Sequence, residues 1–212
     1  MISCYYSVKA LFRKPHCRQR PLKRGWQILL MACLTLIHTA PGFSSNIDIE
    51  LWNSLRSGNS LVLIRHALAP GTGDPNHFKL GDCSTQRNLS AAGRTQAQVI
   101  GKQFRAHGIQ QAQVFSSQWC RCMETAELLE LGPVTELPEL NSFFQQHERR
   151  DSQTQRLKKW LDRAKFDQPL VLVTHQVNIT ALTDFYPASG EMVIVKRSES
   201  GEILVLGSIK TD

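Results

Sequence analysis

The 212-residue sequence contains no internal repeat, no low-complexity segment and no apolar run close to ~20 residues. The first two absences exclude solenoid arrays and compositionally biased disordered chains. The third leaves no comfortable membrane span. Acidic residues are missing from positions 1–25, which carry Lys9, Arg13, Lys14, Arg18, Arg20, Lys23 and Arg24. Taking those seven from 25 Lys and Arg leaves 18, against 18 Asp and Glu. The net charge of +7 therefore belongs to the start of the chain. The remainder has no general basic face with which to track a nucleic acid backbone.

The basic start runs into the short apolar stretch Trp26–Ile37, followed by small and turn-forming residues through Ser45. A positive segment, a short apolar core and a small-residue exit describe a secretory signal. Residues 1–45 are accordingly read as targeting sequence and 46–212 as one folded domain. The expected location is periplasmic or secreted. An uncleaved N-terminus anchoring the chain to a membrane is the alternative. Beyond residue 45 only Cys83, Cys120 and Cys122 remain. In an oxidising compartment Cys83 is expected to pair with Cys120 or with Cys122, leaving one thiol.

Short apolar runs alternate with helical patterns. Ile47–Ser57 reads as a helix stopped by Gly58, and Leu61–Arg65 as a buried strand. Residues 67–88 form a long loop, and a loop of that length beside a strand end is expected to be functional. Ser90 is a good N-cap for a helix that runs to about Gly108. A strand at 114–117, a helix at 121–129 and an extended piece at 134–137 come next, then a loop over 138–152. Gln155–Phe166 has an amphipathic helical pattern, Leu170 to Thr174 is a second buried strand, and 177–184 a helix. Met192–Lys196 and Ile203–Leu206 close the chain as strands. The alternation predicts a three-layer α/β/α sandwich around a mostly parallel sheet.

Two of these strands end in histidine, Arg65-His66 after one and Thr174-His175 after the other. The carboxyl ends of strands in open α/β sheets are where sites form, and neighbouring strand ends lie about 5–10 Å apart. Arg121, at a helix start, would join Arg65 there, with no evident acid between the two guanidiniums. Such a site is strongly positive and suits a compact dianion such as a phosphate monoester. A neutral imidazole beside phosphate is also a nucleophile, and nearby arginines favour its neutral form. These residues therefore point to phosphoryl transfer through a phosphohistidine, without metal or other cofactor.

Four motifs then carry a family resemblance. Arg65-His66-Ala67 resembles the Arg-His-Gly signature of the histidine phosphatase superfamily, whose fold is phosphoglycerate mutase-like. Leu89-Ser90-x-x-Gly93-x-x-Gln96-Ala97 is similar to its helix-opening pattern, and Ser116-Ser117-x-x-x-Arg121-x-x-x-Thr125-Ala126 to its second signature. Thr174-His175 is similar to its last. The resemblance implies that His66 is the nucleophile and that Arg65, Arg121 and His175 bind the phosphoryl group. Ser116, Ser117 and Thr125 are expected to support the site. Ala67 replaces the usual glycine, the Thr and Asn that usually follow the first motif are absent, and Gln176-Val177-Asn178 follow His175. Gln176 and Asn178 either face the pocket or open the helix. Glu139 stands near the position of the family's usual proton donor, although the rest of that motif is unmatched.

The expected activity is that of an exported, metal-independent phosphomonoesterase. Its partners would be a small phosphorylated substrate or a phosphorylated envelope glycan, with no nucleic acid. The second reading is a non-catalytic phosphate-binding member of the same fold. A zinc site of His66, His77, Cys83 and His175 lacks the close ligand pairs that zinc sites use.

Overall fold

The first helix, α1 (Asn46–Arg56), buries Leu51, Trp52 and Leu55 on one stripe. Gly58 ends it at φ 72°, a left-handed conformation that glycine adopts without a Cβ penalty. The computed structural model describes residues 46–165 and 168–211. All lie in one compact unit, Phe43–Asp212. The expected targeting segment 1–45 and Phe166 lie outside the described residues.

After α1 the order is β1 (Leu61–Arg65), α2 (Ala91–Ala106), β2 (Gln113–Ser116), α3 (Cys120–Leu128) and β3 (Val134–Glu136). Then come α4 (Arg150–Leu161), β4 (Leu170–Thr174), α5 (Gln176–Thr183), β5 (Met192–Arg197) and β6 (Ile203–Ile209). The six strands form one sheet in the order β3-β2-β4-β1-β5-β6. The pairings β1–β4, β2–β4 and β2–β3 are parallel; β1–β5 and β5–β6 are antiparallel. The sheet is mixed, with its parallel part at the centre and one side.

Alternation along the strands divides the core. Val62, Ile64, Val171 and Val173 point to one face, where they meet Leu51, Trp52 and Leu55 of α1, Ile100 and Phe104 of α2, and Cys122 and Ala126 of α3. Leu61, Leu63, Leu170 and Leu172 point to the other, against Leu157 and Leu161 of α4 and Ile179 and Leu182 of α5. This is the expected three-layer sandwich, because both faces of the central strands must be covered.

Helix α4 starts at Arg150, five residues before the expected position, and ends at Leu161. The inward residue of its first turns is Gln153, which is polar and so breaks the apolar pattern. Gln153 is nevertheless fully buried, its Nε2 donating to the carbonyls of Glu139 and Asn141. The segment 138–152 is correspondingly not all loop: it holds two 3₁₀ turns, Pro138–Leu140 and His147–Arg149, and the start of α4.

Two devices fix the chain leaving β1. Ser90 caps α2, its Oγ accepting from Gly93 N at 3.0 Å. A Cβ at Gly93 would fall 2.1 Å from the Leu68 carbonyl oxygen, so only glycine permits this helix–loop approach. Farther on, Cys83 and Cys120 form a disulfide, Cα–Cα 5.7 Å, while Cys122 is a buried thiol. Of the two pairings left open by the sequence, helix phase selects this one. Cys122 turns into the core beneath His175, its Sγ 3.4 Å from Nε2, and Cys120 turns toward the loop.

Candidate active site

Strands β1, β4 and β2 run in parallel, so their carboxyl ends meet at one edge of the sheet. His66 N donates to the Thr174 carbonyl at 2.9 Å, and Ser117 N to that of Val173 at 3.0 Å. These ladder bonds bring His66 and His175 to a ring-centroid separation of 5.5 Å, edge to face. The short turn after β2 starts α3 at the same edge, which delivers Arg121. Arg65, His66, Arg121 and His175 together line a cavity of about 160 Å³. That volume is small beside the ~300–1,000 Å³ of drug-sized ligand sites.

His66 is 3 % exposed, and its Nδ1 lies 2.8 Å from the Ala67 carbonyl. A carbonyl only accepts, so Nδ1 carries the proton and Nε2 keeps its lone pair. Nε2 has no hydrogen-bond partner among the described residues. Burial, then the charge of Arg121, lowers the His66 pKa to about 3; Arg87 and Arg65 add to this, while the Ala67 bond opposes it. The ring is thus neutral near pH 7. Burial, then Arg121 and His66, likewise pushes the His175 pKa well below its usual value. His175 Nε2 is 2.9 Å from Ser117 Oγ.

Supporting hydroxyls hold this arrangement. Thr125 Oγ1 accepts from Ala67 N at 3.0 Å and donates to the Arg121 carbonyl at 2.6 Å, tying the two motifs together. Ser116 Oγ donates to the Ser117 carbonyl. Asn141 Oδ1 accepts from Gln118 N at 2.9 Å, and Asn178 Nδ2 donates to the Asn141 carbonyl, which fixes the loop after β3. Arg65 donates through NH1 to the Pro187 carbonyl, while Arg65 Nε and Arg121 Nε are buried without a partner among the described residues. Unsatisfied buried guanidinium donors beside a cavity suit an anion.

The expectation that no acid lies between the arginines is overturned. Asp74, from the loop after β1, forms a two-point ion pair with Arg121: Oδ1–NH1 2.7 Å and Oδ2–NH2 3.1 Å. Both side chains are nearly inaccessible, at 3 % and 6 %. The site is less positive at rest than two arginines alone would make it. Arg87 is a third guanidinium on the cavity wall, with Nε donating to the Gly73 carbonyl at 2.8 Å and NH1 to that of Ala69. Burial, then Arg121, lowers its pKa to about 10, so it remains charged. Thr72, Ser142, Phe144 and Tyr186 complete the wall with Gln176. Asn178 is buried and does not line the cavity. Glu139 sits on the 3₁₀ turn Pro138–Leu140 and does not line the cavity. Cys83, being in the disulfide, has no thiolate for a metal.

Comparison with known proteins decides the family. Residues 61–169 match the model of the histidine phosphatase superfamily (branch 1). The chain belongs to the histidine phosphatase superfamily. Solved structures with the same fold include the protein histidine phosphatase SixA complexed with tungstate, 15% identical, with a TM-score of 0.51 over 72% of this chain and 97% of that one. A mycobacterial glucosyl-3-phosphoglycerate phosphatase with VO3 is 17% identical, with a TM-score of 0.53 over 69% and 96%. A phosphoserine phosphatase from Entamoeba histolytica in complex with 3-phosphoglyceric acid is 14% identical, with a TM-score of 0.51 over 72% and 98%. These likenesses are of fold. No curated protein matches the sequence. Within this histidine phosphatase-family chain, the matched segment contains His66, Arg65 and Arg121 and ends just before β4 and His175.

Proposed function

We propose that the protein is a metal-independent phosphomonoesterase working through a phosphohistidine on His66. The observation that carries this reading is the His66 tautomer: Nδ1 is spent on the Ala67 carbonyl, leaving an unprotonated Nε2 at a cavity ringed by guanidiniums. Arg65, Arg121 and His175 are proposed to hold the phosphoryl oxygens, with Arg87 adding charge from the loop. Nε2 attacks phosphorus, the bond to the leaving oxygen breaks, and the guanidiniums neutralise charge spread over the equatorial oxygens. Water then attacks the phosphohistidine, releasing phosphate and restoring the imidazole.

The substrate is proposed to be a small phosphorylated compound or a phosphorylated envelope glycan. The neighbours' own names range from a protein histidine phosphatase to a glucosyl-3-phosphoglycerate phosphatase and a phosphoserine phosphatase. That range supports phosphate recognition by the fold and leaves the leaving group to the rim. Export is part of the proposal. It is supported by the basic-then-apolar start and by the Cys83–Cys120 disulfide, a bond that persists in oxidising compartments.

The test is hydrolysis of an aryl phosphate by purified residues 46–212 in excess EDTA. Turnover, trapping of acid-labile phosphate on His66 and loss of both in His66→Ala are expected. Tight vanadate binding without turnover of any monoester would instead establish the non-catalytic reading.

A further inference from the structure

The reaction above needs a proton for the leaving oxygen, and among the described residues one carboxyl group lines the cavity. Among the fourteen residues lining the cavity, Asp74 is the single carboxylic acid. Glu139, the candidate from sequence, is not among them. Asp74 is also held in an unusual way for a cavity-wall acid. Oδ1 accepts from Arg121 NH1 at 2.7 Å and Arg87 N at 3.3 Å, and Oδ2 accepts from Arg121 NH2 at 3.1 Å and Trp119 Nε1 at 3.0 Å. Its carboxylate occupies both terminal nitrogens of the guanidinium expected to bind phosphate.

One guanidinium fork cannot give the same two N–H donors to a carboxylate and to a phosphoryl group at once. A dianion competes with a monoanion for that fork on favourable terms. We propose that Asp74 is the acid–base residue of this site: the incoming phosphoryl group displaces it from Arg121, and the freed carboxyl then protonates the leaving oxygen. This rests on the phosphohistidine reading given above.

The electrostatics support the exchange. Burial alone would raise the Asp74 pKa, but the hydrogen bonds and charge of Arg121, with Trp119 and Arg87 N, outweigh it and hold the acid below its ordinary value. The largest opposing contributions come from Arg121. Transfer of Arg121 to the phosphoryl group removes them, and the arriving dianion beside the carboxyl favours its protonated form further. Asp74 thus takes up a proton from bulk solvent. Next the His66 Nε2–P bond forms and the P–O bond to the leaving group breaks. The Asp74 proton moves to that oxygen, giving a neutral alcohol and an Asp74 carboxylate. In the second step Asp74 accepts a proton from the attacking water, the Nε2–P bond breaks, and phosphate leaves. Asp74 then gives up its proton and returns to Arg121.

Asp74→Asn, which keeps the shape and cannot donate an acid proton, separates this role from simple loop support. In the full chain it should lower turnover of an alkyl phosphate such as glycerol phosphate by about 10²–10⁴-fold. Turnover of p-nitrophenyl phosphate, whose leaving group needs no proton, should fall less than about 10-fold. Equal losses on both substrates, or none on glycerol phosphate, would overturn the assignment. Should Asp74→Asn not fold, the wild type carries the test through a series of aryl and alkyl phosphates. A rate nearly independent of leaving-group pKa is expected, and a steep dependence would overturn the proposal. Wild-type enzyme quenched in alkali, where phosphohistidine survives, tells the two readings apart. Phosphohistidine with an indifferent Asp74→Asn sinks Asp74 alone, whereas no phosphohistidine on any substrate sinks the underlying reaction.

Discussion

At the cavity floor, His66, Arg121 and His175 are at most 4 % exposed; at the rim, Phe144 is 40 % and Tyr186 72 % exposed. The floor comes from strand ends and a helix start, and ladder bonds, Thr125 and Ser117 hold its groups. The rim comes from the loops around Thr72, Ser142 and Tyr186, and most of its side chains are neutral. The floor is organised for one invariant anion, with charges placed before any ligand arrives. The rim offers a polar and aromatic surface to whatever the phosphoryl group is attached to. Chemistry and substrate choice are therefore separable in this molecule.

Arg121→Ala tests the floor most severely. It should cut kcat/KM about 10²–10³-fold on every monoester, because a preorganised donor to the transferring group is gone. It should also cost roughly 3 kcal/mol in urea unfolding, since Asp74 is left buried and unpaired. A loss confined to some substrates would make Arg121 a rim residue in function.

A smaller effect concerns acid. His66 is neutral in the folded state down to pH about 3, against an ordinary value of 6.5. Above pH 6.5 the ring is neutral in both states and contributes no pH dependence. As pH falls below 6.5 the unfolded chain binds a proton that the native site refuses. Stability should therefore drop by about 1.4 kcal/mol per pH unit for each such histidine. Urea titrations between pH 7 and pH 4.5 should show this slope, and His66→Gln should make it shallower. An unchanged slope would mean that the floor's histidines are not held neutral.

Tyr186→Ala should do least: a KM change of about fivefold or less that differs between substrates, with kcat on p-nitrophenyl phosphate nearly constant. Equal loss of kcat on all substrates would erase the floor–rim division.

The floor was legible in the sequence and the rest of the wall was not. Arg65-His66 and His175 stand out because each interrupts a run of apolar residues where a strand must end, and Ser90 announces α2 through its capping chemistry. Asp74 and Arg87 lie in a loop without periodicity. Their positions depend on tertiary contacts: the Cys83–Cys120 bridge, and the Arg87 bonds to the carbonyls of Ala69 and Gly73. Tyr186 follows α5 with no pattern to mark it. Gln153 hid the start of α4 because a buried glutamine reads as surface.

The order of strands in the sheet has a consequence for biogenesis. β1 pairs with β4, so Leu61 finds its partner at Leu170, and β2 also waits for β4. The chain through His175 must emerge before the two imidazoles can meet. Such long-range closure is slow compared with local helix formation. A nascent or truncated chain ending before Leu170 would thus carry His66 without its counterpart, and the paired imidazoles could form only once β4 has emerged.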